Sequence, residues 1–278
     1  MINLRGTNRY QYLQAKRLST LSNLASSAVF VVAVVAIFGD SFSPYGPSVM
    51  VVLIAISELL RWRSDVRKGL AEKLLRGLDL HQSFNRPISA ADIRDVFSSL
   101  SAKQRENFET DAVDDYFAAR SIVEGPQGAI EQLMESAWYT KHQSHIMAWI
   151  HIAAAVIVVF ISLATLTISS NELTELSSRQ DVSKLVASWL LLLFSFGILR
   201  SAYSYFRLYS ESGKAEARAE DLRGHDVTFD EALRQWYEYQ LARSHAPLLP
   251  NWLWRLKKRS LDDSWRITSN SSADHRAE

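Results

Sequence analysis

Residues Ile146–Asn171 read IMAWIHIAAAVIVVFISLATLTISSN, twenty-six positions without an Asp, Glu, Lys or Arg. A helix of about 20 apolar residues crosses the hydrocarbon core of a bilayer, so this stretch predicts a membrane-spanning helix. Working outward, three further charge-free runs stand in the chain: Leu18–Gly39 (22 residues), Ser41–Ser57 (17) and Leu185–Leu199 (15). The first is long enough alone, and the other two reach the required length if flanking side chains snorkel to the interface. The four runs hold 80 of the 278 residues, and all 61 charged side chains lie in the other 198. That segregation argues against an ordinary soluble enzyme. The absence of cysteine excludes a disulfide frame, a thiolate nucleophile and Cys-ligated zinc, and a net charge of +1 gives no overall attraction to nucleic acid.

The charges also orient the runs. Arg5, Arg9, Lys16 and Arg17 precede the first run, as in a signal sequence. The run is longer than the 7–15 residues of a signal core, and a second run follows it after the turn Asp40–Pro47, so the pair predicts a helical hairpin. The turn carries no basic residue, whereas twelve lie between the second and third runs and thirteen follow the fourth. With the N-terminal four, 29 of the 31 basic residues fall on one side; Arg179 and Lys184 are the two left over. The positive-inside rule then places both termini in the cytosol, and Trp62 and Trp149 fit the cytosolic interface. The expected class is an all-α membrane protein with four transmembrane helices.

Outside the runs the pattern stays helical. Leu59, Trp62, Val66, Leu70, Leu74 and Leu78 repeat at steps of three or four, predicting that the second helix continues to about Leu80. Pro87 ends it, Ser89–Asp92 reads as the cap of a short helix to Leu100, and Ser101 reads as another cap. Gly125-Pro126-Gln127-Gly128 reads as a turn, and from Ala129 a helix leads unbroken into the third run. The fourth run continues likewise through Tyr203 and Phe206 into Lys214–Arg223. Thr228-Phe229-Asp230-Glu231 is a capping-box pattern opening a helix to Arg243. The expected layout is therefore 1–62 for the N-terminal tail and first hairpin, 63–145 for a cytosolic helical insert and 146–200 for the second hairpin. Cytosolic helices then occupy 201–267, and 268–278 form a disordered tail rich in Ser, Asn and charge.

No G-x-S-x-G, H-E-x-x-H, Walker A or dinucleotide fingerprint is present, so no catalytic residue, metal or cofactor is expected and the chain does not read as an enzyme. His142, His145 and His151 share helical spacing but lack a neighbouring carboxylate or fourth ligand, which favours interfacial histidines over a metal site. Glu58 and Arg200 end the second and fourth runs and are candidates for a gate or interfacial ion pair, with snorkelling as the alternative. In the third run His151, Ala155, Val158, Ser162, Thr165 and Ser169 form a stripe of mostly small or hydroxyl side chains. Ser22, Ser26 and Ala33 make a weaker one in the first. Such a stripe either lines a wet pathway or lets helices approach closely.

A cytosolic group mixes cations with rings: Arg234, Trp236, Tyr237, Tyr239 and Arg243, followed by Arg255, Lys257, Lys258 and Arg259. Aromatic faces beside guanidinium groups suit stacked bases and paired phosphates, making these candidate ligand-binding residues. Two other readings stay open. Trp252, Trp254 and their basic neighbours also suit an amphipathic helix on anionic lipid, and Trp236 with Tyr239 also suits a core.

The order of parts resembles a known family. Tyr12-x-x-Ala15-Lys16 in the first helix, a tight hairpin, Asp115-Tyr116-Phe117 in the insert, Glu135-Ser136-Ala137-Trp138 before the third run and Pro250-x-Trp252 near the end are similar to the bacterial four-transmembrane pore-forming effectors associated with SMODS-type nucleotidyltransferases. The resemblance implies an inner-membrane effector of anti-phage defence, controlled by the cyclic or short linear oligonucleotide product of a partner nucleotidyltransferase. It implies depolarisation and growth arrest on opening. A four-helix subunit has too few helices to surround water, so a homo-oligomer is expected, with a tetramer the first choice. The alternative class is a non-conducting membrane receptor or scaffold that recruits a soluble partner through its cytosolic helices.

Overall fold

The computed structural model describes residues 4–38, 45–84, 86–100, 125–172, 186 and 197–274. Among them every regular element is helical: α1 (Leu4–Phe38), α2 (Gly46–Phe84), α3 (Ala90–Ser98), α4 (Pro126–Glu172), α5 (Ile198–Leu222), α6 (Phe229–His245) and α7 (Asn251–Asp274). The chain divides into two compact units. One comprises Thr7–Glu72 and Ala148–Tyr203; the other comprises Met1–Gly6, Lys73–Met147 and Ser204–Glu278. The boundary expected at 62/63 falls inside α2, because residues of α2 as far as Ala71 are bonded to α1.

Those bonds make a polar seam. Asn8 Nδ2 donates to the Ala71 carbonyl at 2.6 Å, Arg67 donates to Gln11 Oε1 at 3.2 Å, and Ser64 Oγ donates to the Ala15 carbonyl at 2.8 Å. Further along, Ser22 Oγ donates to the Ser57 carbonyl at 2.9 Å, and the hydroxyls of Ser26 and Ser57 meet at 2.7 Å. Asn8, Ala15 and Ser22 are seven residues apart, and so are Ala71, Ser64 and Ser57. Matching heptad spacing keeps two antiparallel helices in register, and small side chains let the backbones approach.

This seam reverses the usual polarity of a protein interior. Ser22 and Ser57 are 1% and 3% exposed, while Val51, Val156 and Phe160 of the same unit are 66%, 60% and 71% exposed. Within Pro126–Ala164, α4 holds a stretch long and apolar enough to cross a membrane, and among the described residues no other helix meets that test. Of the expected spans, only the third meets this test among the described residues. The run in α1 carries Ser19, Thr20, Ser22, Asn23, Ser26 and Ser27 in its first ten residues, and the charge-free run in α2 stops at Glu58. The fourth run lies outside the described residues except for Val186 and Gly197–Leu199.

The other unit has an ordinary core. Ala129, Ile130, Leu133, Met134 and Ala137 of α4 pack with Ala215 and Ala219 of α5 and with Ala232, Trp236 and Tyr239 of α6; Phe84, Leu222, Val227 and Trp265 close its edges. Side-chain bonds fix the helix ends. Gln127 Nε2 donates to the Arg223 carbonyl at the end of α5, and Lys73 bridges Asp92 and Asp95 to hold α3 on α2. The expected cap at Ser89 is present, its hydroxyl accepting from the Ala91 amide.

Two local expectations are corrected. The turn at Gly125–Gly128 is confined to Gly125, whose φ is +94° and whose carbonyl accepts the Ala129 amide; Pro126 opens the helix. Proline suits a first helical position because that amide has no helical acceptor. The C-terminal helix continues to Asp274, into the stretch expected to lack structure. Extending an existing helix costs far less than nucleating one, so Ser and Asn can be carried along. Ser101 and Asp115-Tyr116-Phe117 lie outside the described residues.

Candidate functional site

The capping box found in the sequence builds the site's first wall. Thr228 Oγ1 accepts the Glu231 amide, and Glu231 Oε2 accepts from the Thr228 amide at 3.1 Å. The Thr228 hydroxyl, which donates to Glu231 Oε2 at 2.8 Å, and after it the Thr228 amide hold the Glu231 carboxyl below its usual range, favouring the charged form at the positive end of α6. From there α6 turns Ala232, Gln235, Trp236, Tyr239 and Gln240 inward. Trp236 Nε1 donates to the Ala129 carbonyl at 2.8 Å, and the Tyr239 hydroxyl meets Thr140 Oγ1 at 2.7 Å and donates to the Ser136 carbonyl. Arg234, Tyr237 and Glu238 remain on the outside.

An open groove of about 490 Å³ lies between α5 and α6, lined by Arg218, Asp221 and Leu222 of the first and Glu231, Arg234, Gln235 and Glu238 of the second. Two guanidinium groups face three carboxylates there, and Arg218 is paired with Glu238. Such a lining suits a ligand with both anionic and donor groups better than a bare polyanion. Phosphate would take the guanidinium groups, and hydroxyl or amino groups would take the carboxylates.

The first-choice ligand residues do not converge. Trp236 is 1% exposed and belongs to the core, which corrects its assignment as a stacking ring. A ring in a packed interior, with its N–H already bonded, has no face left for a base. Arg243 lies half-buried with its guanidinium 5.8 Å from the Tyr239 ring, on the packed side of α6. Arg234 lines the groove, and Tyr237, 45% exposed, stands one turn on. Arg255, Lys258 and Arg259 are exposed on α7, with Lys257 half-buried.

In the other unit Ala155 and Ser162 are buried, and Ser162 Oγ donates back to the Val158 carbonyl at 2.8 Å. His151 is half-buried, and the side chains of Thr165 and Ser169 lie outside the described residues. Glu58 pairs with Arg61 at 2.9 Å rather than with Arg200, which is exposed. An acid one turn from an arginine on its own helix needs no distant partner. Among the described residues neither His142 nor His145 is grouped with further metal ligands. His142 packs on the Trp138 ring and is pushed below its usual value by burial and then by Lys141, and His145 stacks on Tyr209. Among the described residues no three His, Asp or Glu side chains are grouped to hold a metal ion.

Sequence reading missed the groove and one buried carboxyl. Burial first, and the Asp262 carboxylate second, push Glu135 up to about 7. Asp262 accepts the Tyr139 hydroxyl at 2.8 Å, bringing α7 against α4. Because the value is raised on folding, this contribution to stability is full below about 4.5 and is lost as pH rises through about 7. Glu135→Gln is expected to raise the unfolding temperature at pH 8 and to leave it nearly unchanged at pH 5. Melting curves in detergent across that range check this, and an increment independent of pH would refute it.

Comparison with known proteins yields no matching family model, no matching curated protein and no matching solved structure.

Proposed function

We propose that the chain is a multi-pass inner-membrane effector of bacterial anti-phage defence. In this reading it has four transmembrane helices, both termini are cytosolic, and a homo-oligomer, a tetramer by preference, forms an ion channel. The observation that carries the membrane placement is the reversed polarity of one unit: bonded serines inside, valines and phenylalanine outside. Lipid tails tolerate that surface and water does not. Support for control by a nucleotidyltransferase's oligonucleotide comes from the family resemblance and from the mixed-charge groove beside Arg234. A ligand there shifts a closed-to-open balance only by the difference in its affinity for the two states.

Induction is expected to collapse the membrane potential, read by a voltage-sensitive dye, and purified protein is expected to conduct in liposomes. Arg234→Glu should weaken oligonucleotide binding at least tenfold while membrane insertion is retained. Unchanged affinity would move the signal away from the groove.

One observation favours the non-conducting scaffold as a second reading. Ser22, Ser26 and Ser57 bond to one another, and Ser162 bonds to its own helix, so these hydroxyls serve packing in the single chain. Toxicity with an intact potential and no liposome conductance would select the scaffold.

A further inference from the structure

The helix α7 has two faces of different character. Leu253 and Leu261 are 1% and 8% exposed, and Trp265 packs against the core of its unit. Tyr139 holds Asp262 from the side, and the Trp254 ring lies 5.6 Å from that of Tyr139. The inner face is therefore already occupied. On the opposite face, steps of three and four bring Trp252, Arg255, Leu256, Arg259, Asp263, Arg266 and Ile267 onto one arc. Trp252 is 51% exposed, Leu256 69% and Ile267 71%.

Large apolar side chains are seldom left in water on a helix whose other side already supplies the core. Here they alternate with cations, of which Arg255, Lys258 and Arg259 make no ion pair among the described residues, and Asp263 is the one acid on the arc against three arginines. A second protein helix would have to neutralise those charges one by one. An anionic bilayer surface supplies negative charge continuously, with acyl chains a few ångströms below for the tryptophan and aliphatic side chains. Arginine stems can lie along that boundary with their heads among the phosphates.

We propose that the outer face of α7 is a membrane-surface site that seats Trp252, Leu256 and Ile267 at the acyl boundary while Arg255 and Arg259 contact anionic lipid headgroups. The site is separate from the groove beside Arg234 and holds whether or not the chain conducts. Each cation close to an anionic surface strengthens association about fivefold at physiological salt, so reversing two has a large effect.

The chain contains no cysteine, which makes a single reporter straightforward. Full-length Leu256→Cys carrying an environment-sensitive fluorophore would be placed in nanodiscs of phosphatidylcholine alone or mixed with phosphatidylglycerol. The expected result is a blue shift, at least a twofold gain in emission and protection from aqueous iodide in the anionic discs only. Molar salt, or the added pair Arg255→Glu and Arg259→Glu, should return emission to the phosphatidylcholine level. Glu220→Cys, exposed on α5, serves as a label that should not respond. Equal emission from Leu256→Cys in both lipids would overturn the site and leave the membrane reading standing, whereas failure to enter either disc would overturn both. A shift produced in phosphatidylcholine discs by an added oligonucleotide would reassign the face to nucleotide binding and overturn it as well.

Discussion

Trp236→Ala should destabilise its unit by about 4 kcal/mol, within the range for emptying an indole-sized space in a core. The ring is among the largest fully buried side chains, it packs with Ile130, Leu133 and Tyr239, and its N–H is bonded to the Ala129 carbonyl. Trp236→Phe keeps most of the volume and removes that bond, and should cost closer to 1–2 kcal/mol. Melting curves in detergent would order the three proteins. If Trp236 instead stacked on a base, the alanine variant would melt normally and lose oligonucleotide affinity. That outcome would restore the surface reading of the residue.

The second large effect is expected at Ser57. Its hydroxyl touches those of Ser22 and Ser26 and donates to the Ser22 carbonyl, all within a closely approached helix pair. Ser57→Ala removes hydrogen bonds that in membrane helices average about 0.6 kcal/mol each. Ser57→Leu also forces the backbones apart, adding roughly 1–3 kcal/mol for overpacking. The leucine variant should lose folded protein in detergent while the alanine variant remains recoverable. Equal behaviour of the two would mean that close approach is not what the serine provides.

How far the sequence reached differs between the two units. Helices α3 and α6 were legible because Ser89 and Thr228 announce their starts by local chemistry, and local chemistry needs no tertiary knowledge. The stripe at Ala155 and Ser162 was legible as a face, but not as a buried one, because a small side chain suits water and a neighbouring helix equally well. Trp236 shows the same limit from the other side. A tryptophan beside arginines has one composition whether it faces solvent or core, and only the phase of α6 against Ala129 decides. The groove itself was not legible because Asp221 and Glu231, the latter read only as a cap, come from different helices, and the sequence does not show which faces meet. By contrast, the seam of α1 and α2 was written in the chain as a spacing of seven on both helices, from Asn8 to Ser22 and from Ser57 to Ala71. It went unread because hydrophobic periodicity is the usual search, and this seam is polar.

That seam raises a question of uniqueness that its bonds also answer. Two helices with small residues every seventh position can slide by one heptad, about 10 Å, and still present small against small. Such a slide could set Ala15 against Ser57 and Asn8 against Ser64, both tolerable neighbours. Gln11 would then face Leu60 instead of Arg67, leaving a fully buried amide against hydrocarbon. The Gln11–Arg67 pair therefore acts as a key cut for one position of the lock, making a repetitive surface single-valued. Replacing Gln11 with leucine would remove that part of the mismatch and leave the Asn8–Ala71, Ser64–Ala15 and Ser22–Ser57 bonds to hold the register.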